Sequence, residues 1–192
     1  MDEIILIGGG GHCKSVIDVI EQEAKFKIVG IVDKPELLGN KVFGYSVIGN
    51  DFDLESLATK YQYAFITVGQ IHSPILKIKL FDLAKKAGFL LPSIISPIAH
   101  VSKYSKIGKG SIVMHNAIVN ANTTVGDNCI INSKALIEHD CLISDHCHIS
   151  TSVTINGNVI IEPKCFIGSD TTTIQNITIK ENSFIKAKSL IK

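Results

Sequence analysis

The chain has 192 residues, and its 19 basic and 18 acidic residues leave a net charge of +1, so one or two domains can form around a proper core. A chain so nearly neutral carries no electrostatic footprint for nucleic acid, and because every basic residue is a lysine, arginine cannot clamp an anion through paired bonds. No run approaches the ~18 apolar residues of a membrane span, and no signal peptide precedes the first strand, so neither is predicted.

The N-terminal residues predict a βαβ unit with a glycine turn. A buried strand over residues 3–7 runs into the glycines and histidine of residues 8–12, a helical pattern then reaches about Glu23, and residues 27–32 form a second strand. Glycines at such a turn allow positive φ and let backbone amides face a ligand at the helix N-terminus.

Two features near this turn bear on what it could bind. Gly8 and Gly10 fit the first two glycines of a dinucleotide-binding fingerprint, but Cys13 stands at the third, so a dehydrogenase is not predicted. Asp33, at the end of the second strand, is placed either to hold a ribose hydroxyl or to cap a turn before Pro35. The sequence leaves both roles of Asp33 open.

The following residues complete a small α/β domain. We predict an edge strand at 44–48, a helix at 53–61 with Asp53 as its N-cap, a buried strand at 64–68 and an amphipathic helix at 73–87. The prediction is an α/β N-terminal Rossmann-like domain over residues 1–92 and a second domain over residues 93–192.

A six-residue repeat fills the second domain. From Val101 to Ile185 a valine or isoleucine stands at fourteen of the fifteen positions spaced six apart, and only Thr173 interrupts the series. A second restricted position, mostly small residues, follows four residues after each of these. This is the hexapeptide signature of a parallel β-helix. Three hexads close one triangular coil, so that residues eighteen apart stack on adjacent coils, about 4.8 Å apart.

Four of the five cysteines occupy the small position of the hexad. Cys129, Cys141, Cys147 and Cys165 are therefore interpreted as small interior fillers in a reducing cytoplasm rather than as disulfides or metal ligands. The flat faces of such a prism are too apolar for water, so we expect a homotrimer of prisms packed side by side.

Residues 137–141, Ile-Glu-His-Asp-Cys, are the most informative segment of the prism. Eighteen residues after His139 the stacked position is Gly157, so an imidazole on one coil faces bare backbone on the next. A base beside a backbone donor is the arrangement that acyl transfer needs.

These motifs resemble those of a known enzyme family. The chain is similar to the left-handed β-helix family of sialic acid O-acetyltransferases and UDP-amino-sugar N-acetyltransferases, which includes the bacillosamine-pathway acetyltransferase. The resemblance covers nearly the whole chain, and the residues that carry it are Gly8-Gly9-Gly10-Gly11-His12, Val32-Asp33, Val68-Gly69, Asn132-Ser133, Ile137-Glu138-His139-Asp140-Cys141, His148-Ile149-Ser150 and Gly157-Asn158-Val159.

The resemblance implies a homotrimer that binds acetyl-CoA in the groove between neighbouring prisms. It assigns the catalytic base to His139 and the acid beside it to Asp140, the thioester-facing and CoA-binding amide to Gly157, and a substrate contact to His148. Relatives usually have glutamate after the histidine, so Asp140 is one methylene shorter and Glu138 is an alternative acid. No metal is expected.

The resemblance also assigns residues to the two ligands. The acceptor's nucleotide or sugar would be held by Gly9, Gly10, Gly11, His12 and Asp33. Gly168 and Lys186 are the further residues predicted to bind CoA. The sequence ends at Lys192 without the Gly-x-Pro-Ala segment that commonly closes such prisms, so Lys186 and Lys188 would serve the CoA phosphates instead.

The leading prediction is an acetyl-CoA-dependent N-acetyltransferase of a UDP-linked amino sugar in bacterial surface glycan biosynthesis. O-acetylation of a sialic-acid-like sugar is the alternative within the class. A zinc lyase of the γ-carbonic-anhydrase type is kept open by His115, His139, His146 and His148, and a non-catalytic scaffold by the absent closing segment.

Overall fold

The computed structural model describes all 192 residues, and they divide into two compact units. The first unit comprises Met1–Gly69 and Ile75–Pro92, and the second comprises Gln70–Pro74 and Ser93–Lys192. The short segment Gln70–Pro74 therefore packs with the second unit, although it lies in sequence between elements of the first.

The first unit is an α/β domain, as predicted. Its elements are β1 (Asp2–Ile7), α1 (Gly11–Glu23), β2 (Phe26–Val32), β3 (Lys41–Val42), β4 (Tyr45–Gly49), α2 (Leu54–Ala58), β5 (Tyr63–Ile66) and α3 (Ile75–Ala87). The five strands form one sheet in the order β3-β4-β2-β1-β5, parallel except for the short β3. Both α1 and α3 bury an apolar face. No helix is at once long and apolar enough to cross a bilayer.

The start of the second helix differs from the prediction. Asp53 does not cap α2 with its side chain. It instead closes a reciprocal box with Asn50 around a 3-10 turn: Asp53 Oδ2 accepts from the Asn50 amide at 2.8 Å, and Asn50 Oδ1 accepts from the Phe52 amide at 2.9 Å. Asp53 therefore stands at the predicted N-cap position of α2, but its carboxylate bonds back to Asn50, the N-cap of the preceding turn, and not to the first amides of α2.

The second unit is the predicted left-handed β-helix, built from strands of two residues each. Its strands are β6 (Ile94–Ile95), β7 (His100–Val101), β8 (Lys106–Ile107), β9 (Ile112–Val113), β10 (Ile118–Val119), β11 (Thr124–Val125), β12 (Ile130–Ile131), β13 (Leu136–Ile137), β14 (Leu142–Ile143), β15 (His148–Ile149), β16 (Thr154–Ile155), β17 (Ile160–Ile161), β18 (Phe166–Ile167), β19 (Thr172–Thr173), β20 (Thr178–Ile179), β21 (Phe184–Ile185) and β22 (Leu190–Ile191).

These strands form the three parallel faces of the prism. Face I contains β6, β9, β12, β15, β18 and β21; face II contains β7, β10, β13, β16, β19 and β22; and face III contains β8, β11, β14, β17 and β20. Every pairing joins residues eighteen apart, as Leu136 pairs with Thr154 and Ile137 with Ile155. The prism begins at β6, before Val101, because Ile94–Ile95 already pairs with Ile112–Val113.

The second residue of each strand points into the prism. The inward aliphatics of the middle coils are fully buried, and all five cysteines of the chain are buried without forming a disulfide. Thr173, the exception in the repeat, is also fully buried. Its hydroxyl accepts a hydrogen bond from the Asn156 amide at 3.0 Å, so its polar atom is satisfied inside the prism.

The edges of the prism require left-handed backbone. One residue in every hexad from Gly110 to Lys188 has φ between 56° and 64°. Nine of these fourteen residues are glycine, asparagine or aspartate, the types that adopt this conformation most readily. Asn122 and Asp140 are two of them, both on the edge between faces II and III.

Replacing Ile143 by alanine should destabilise the protein by about 2–5 kcal/mol, the usual cost of removing a buried isoleucine side chain, because Ile143 is completely buried. Urea unfolding followed by circular dichroism measures the change. Leu190→Ala, at a side chain 60% exposed on β22, is the control and should stay within about 0.5 kcal/mol of wild type. Equal losses in the two variants would contradict the assigned interior.

Candidate functional site

His139 and Asp140 form a hydrogen-bonded pair on the edge between faces II and III. The turn between β13 and β14 carries both, and Nδ1 of His139 lies 2.7 Å from Oδ2 of Asp140. A carboxylate can only accept, so Nδ1 carries the proton and Nε2 presents its lone pair. The two side chains are 63% and 47% exposed. The pair is therefore a base that a substrate can reach.

The shorter acid reaches the imidazole. Asp140 is left-handed, with φ 61°, and its second oxygen, Oδ1, accepts from the side-chain amide of Asn122 at 2.7 Å. The hydrogen bond from Asn122, and then the bond to His139, hold the pKa of the Asp140 carboxyl below its usual value. Glu138, the alternative acid, instead accepts from the Asn120 side chain at 2.9 Å.

Gly157 lies directly beneath the imidazole on the adjacent coil. A Cβ on Gly157 would stand 2.9 Å from Cε1 and 3.0 Å from Nε2 of His139. Asn158 donates its amide to the His139 carbonyl at 3.0 Å, which fixes the two coils together at this point. The Gly157 amide makes no hydrogen bond within the chain, so it can donate to a ligand.

His148 lies on face I, away from the edge that carries His139. It is 6% exposed. Nδ1 donates to the Gln70 carbonyl, while Nε2 accepts from the Asn132 side chain at 3.3 Å. The ring packs edge-on against Phe166 at a centroid distance of 5.2 Å. His148 thus anchors the segment Gln70–Pro74, and its substrate contact stays a prediction.

Gly168 and Lys186 lie on the edge between faces I and II, apart from both His139 and His148. A Cβ on Gly168 would stand 2.4 Å from the Ala187 amide, so close backbone approach requires glycine here. Lys186 is exposed. The structure does not bring these two residues to His139 within one chain, and their contact with CoA stays a prediction.

The glycine turn of the first unit is held by Asp33. Its Oδ1 accepts from the Lys34 amide at 2.7 Å and its Oδ2 accepts from the Gly9 amide. These bonds tie the glycine turn to the end of β2, and the contact of Asp33 with a ribose hydroxyl stays a prediction. Gly10 and Gly11 have open space where a Cβ would stand, at the start of α1.

Two side chains of α1 flank this turn in different ways. Cys13 is fully buried, and burial raises the pKa of its thiol to about 11, so it is no nucleophile at neutral pH. His12 is half-buried in the first turn of α1, with its Cβ 3.5 Å from where a Cβ on Gly69 would stand.

A cavity of about 450 Å³ opens at the carboxyl ends of β1 and β2. Gly8, Asp33, Lys34, Asn50 and Val68 are among the residues that line it. This volume is typical of small-molecule sites, and in open α/β sheets ligands bind at the carboxyl ends of strands. Sequence reasoning missed Asn50 and Lys34, which follow predicted strands and could have been read as lining residues.

The chain holds no group of three or more His, Cys, Asp or Glu side chains placed to ligate one metal ion. Two of the four histidines on which the zinc-lyase alternative rested hydrogen-bond to other side chains. His115 Nδ1 lies 2.7 Å from the Ser96 hydroxyl, and His146 Nδ1 lies 3.1 Å from the Asn128 side chain.

Two sequence families match the chain. The PglD N-terminal domain matches residues 3–73, and the bacterial transferase hexapeptide of six repeats matches residues 104–139. No curated protein sequence matches the chain significantly.

Solved structures match the whole chain. The acetyltransferase domain of PglB from Neisseria gonorrhoeae, also solved with acetyl coenzyme A, is 31% identical with a TM-score of 0.92, over 100% of this chain and 92% of that one. A variant of perosamine N-acetyltransferase from Caulobacter crescentus, in complex with CoA and GDP-perosamine, is 29% identical with a TM-score of 0.93, over 100% and 89%. WeeI from Acinetobacter baumannii, at 20% identity and a TM-score of 0.77 over 99% and 96%, shares the fold.

A hexapeptide-repeat β-helix behind a PglD-type N-terminal domain defines the class of the protein, which is an acyltransferase. Within that class the chain belongs to the sugar acetyltransferase family that contains the PglB acetyltransferase domain and the perosamine N-acetyltransferase.

Substituting Gly157 by alanine should lower activity with little change in stability, because the new methyl group would stand 2.9 Å from the His139 ring and displace a side chain that is exposed and able to turn away. Steady-state acetyl transfer and thermal unfolding measure the two effects. In a His139→Ala background the same substitution should cause little further loss of activity, because the ring is already absent; such coupling is expected only for residues in contact. A loss of activity of the same size in both backgrounds would show that the ring is not what the methyl group meets.

Proposed function

We propose that this enzyme transfers the acetyl group of acetyl-CoA to the amine of a nucleotide-linked amino sugar in bacterial surface glycan biosynthesis. The observation that carries the proposal is the His139–Asp140 pair with Nε2 directly over Gly157. The related PglB domain binds acetyl coenzyme A, and the perosamine enzyme binds CoA and GDP-perosamine. Two structures of the latter carry a substitution of a single histidine.

The chemistry follows from the three groups. Nε2 of His139 accepts a proton from the sugar amine as its nitrogen attacks the thioester carbonyl carbon. The Gly157 amide donates to the oxyanion of the tetrahedral intermediate, and Asp140 stabilises the imidazolium. The C–S bond then breaks, the amide product forms, and the imidazolium returns its proton to the CoA sulfur. Atoms and charge balance without a metal step.

The two domains divide the work in this proposal. Residues 1–92 would hold the nucleotide or sugar of the acceptor, through Gly9, Gly10, Gly11, His12 and Asp33 and the adjacent cavity. Residues 93–192 would bind acetyl-CoA and carry out the transfer. One relative is solved with a GDP-linked sugar. Both UDP- and GDP-linked amino sugars are therefore candidate acceptors for this enzyme.

The exposure of the catalytic pair supports a homotrimer. A base 63% exposed in the single chain is too open to water for efficient acyl transfer, since water exclusion strengthens each electrostatic contact. The faces that flank this edge also present aliphatic side chains to solvent, with Ile118 37%, Leu142 41% and Ile160 39% exposed. A neighbouring prism would cover these side chains, close the site and bring its own residues, including His148, Gly168 or Lys186, toward the ligands.

The reaction and the cysteines fit one compartment. Acetyl-CoA and nucleotide sugars are intracellular metabolites, and none of the five cysteines forms a disulfide. Cysteines without disulfides are typical of a reducing compartment. We place the enzyme in the cytoplasm.

Thiol release from acetyl-CoA should occur with an amino sugar in a panel of UDP- and GDP-linked amino sugars and free sialic acids. His139→Ala should lose about 10²–10⁴-fold, the usual contribution of a positioned general base. His100→Ala, an exposed histidine of β7, is the control and should retain activity. Release only with sialic acids would move the assignment to O-acetylation, and no release with any acceptor would favour the scaffold.

Leu142→Glu should break the homotrimer, because it places a carboxylate on the aliphatic surface of face III. Sedimentation velocity is expected to give a trimer for wild type and monomer for the variant, with acetyl transfer lost in parallel. Lys60→Glu, an exposed charge change in the first unit, should remain trimeric. A wild-type protein that sediments as a monomer and is fully active would contradict the trimer.

A further inference from the structure

A second hydrogen bond holds the acid of the candidate active site from the side opposite to the histidine. Asn122 and Asp140 are left-handed residues of the same edge, with φ of 60° and 61°, and they stack on adjacent coils. Asn122 Nδ2 donates to Oδ1 of Asp140 at 2.7 Å, while Oδ2 of Asp140 receives the proton of His139 Nδ1 at 2.7 Å. Each oxygen of the carboxylate thus has its own donor.

Packing cannot provide this orientation. The side chains of His139 and Asp140 are 63% and 47% exposed, so few contacts restrict their rotation. The terminal torsion of an aspartate is broad, with no sharp preferred angle. A hydrogen-bond donor whose backbone is held on the prism edge is therefore what sets the plane of the carboxylate. Asn122 is that donor, and it is also the largest cause of the lowered pKa of Asp140.

The other polar groups of this edge do not replace Asn122. The carboxylate of Glu138 is bonded to Asn120. Lys103, two coils before His139 in the chain, has its ammonium 4.9 Å from the centre of the Tyr104 ring. On the coil after Asp140, Asn158 donates to the Asn176 side chain at 2.9 Å.

We propose that Asn122 is a positioning residue for the reaction: its bond to Oδ1 of Asp140 keeps Oδ2 on Nδ1 of His139 and so keeps the lone pair on Nε2, over Gly157. The inference rests on the proposed role of His139 as base. Asn122 touches no reacting atom. The side chain of Asp140 is one methylene shorter than that of glutamate, and Asn122, which the stacking register places one coil away, holds it in position.

Two substitutions of Asn122 test this proposal. Asn122→Gly removes the donor while keeping a residue suited to positive φ, and Asn122→Asp is isosteric but replaces the donor by a like-charged acceptor. In both variants kcat should fall by up to about 10²-fold, the loss that a misplacement of about 1 Å can cause, while the KM for acetyl-CoA stays constant. Asn116→Gly, at the equivalent left-handed position of another edge, is the matched control and should keep wild-type kcat.

A readout independent of turnover separates positioning from fold. Nitrogen-15 NMR of the histidine rings in the ligand-free protein should show His139 protonated at Nδ1 alone in wild type and in Asn116→Gly. A mixture of Nδ1 and Nε2 tautomers is expected in both Asn122 variants, and the pKa of the Asp140 carboxyl should rise in Asn122→Gly because a donor is lost.

Three results would overturn the inference: an unchanged His139 tautomer in both Asn122 variants, an unchanged kcat in both, or an equal loss in Asn116→Gly. The last would show that any change at a left-handed edge residue slows the enzyme. Failure of the proposed function is distinguishable, because full activity of His139→Ala would refute the base while leaving the NMR comparison of Asn122 variants intact.

Discussion

Stacking at a fixed interval of eighteen residues is the constraint on which the second unit depends. Strands of two residues are far too short to persist alone, so each coil is held by backbone bonds to the next, such as that from the Glu138 amide to the Ile155 carbonyl at 2.9 Å. The same register places His139 over Gly157 and Asn122 beside Asp140. Scaffold and candidate site are thus products of a single periodic arrangement, and no separate loop is needed to assemble the catalytic groups.

The left-handed edges explain why the site has these residue types. Non-glycine residues resist positive φ, and asparagine and aspartate tolerate it best because their short polar side chains bond locally. An edge position that prefers such residues also points them along the prism axis toward the equivalent residue of the next coil. Asp140 therefore needs no unusual backbone to meet Asn122; it occupies the conformation that thirteen other hexads of the prism share.

The six-residue period made much of the prism predictable from the sequence, whereas contacts between residues that the period does not relate could not be predicted. The inward aliphatics, the buried cysteines and the His139–Gly157 stack all follow from counting residues. The first strand of the prism, Ile94–Ile95, was missed although Ile95 stands six residues before Val101, because Pro97 lies between the two. The bond between His148 and Gln70 joins residues 78 apart in sequence, and no local pattern announces it. The Asn122–Asp140 bond lay within reach, since the interval of eighteen residues predicts it.

Because each coil contacts only its neighbours, the length of the prism can change by whole coils. Because each coil of eighteen residues presents the same pairing groups above and below, duplication or loss of one coil near either end would leave all other pairings intact. The stretch from Asn122 to Gly157 is different, since an extra coil inside it would move the amide donor, the acid–base pair and the glycine out of contact. Gains and losses of coils among relatives should therefore be confined to the two ends of the prism, with the central two coils constant in length.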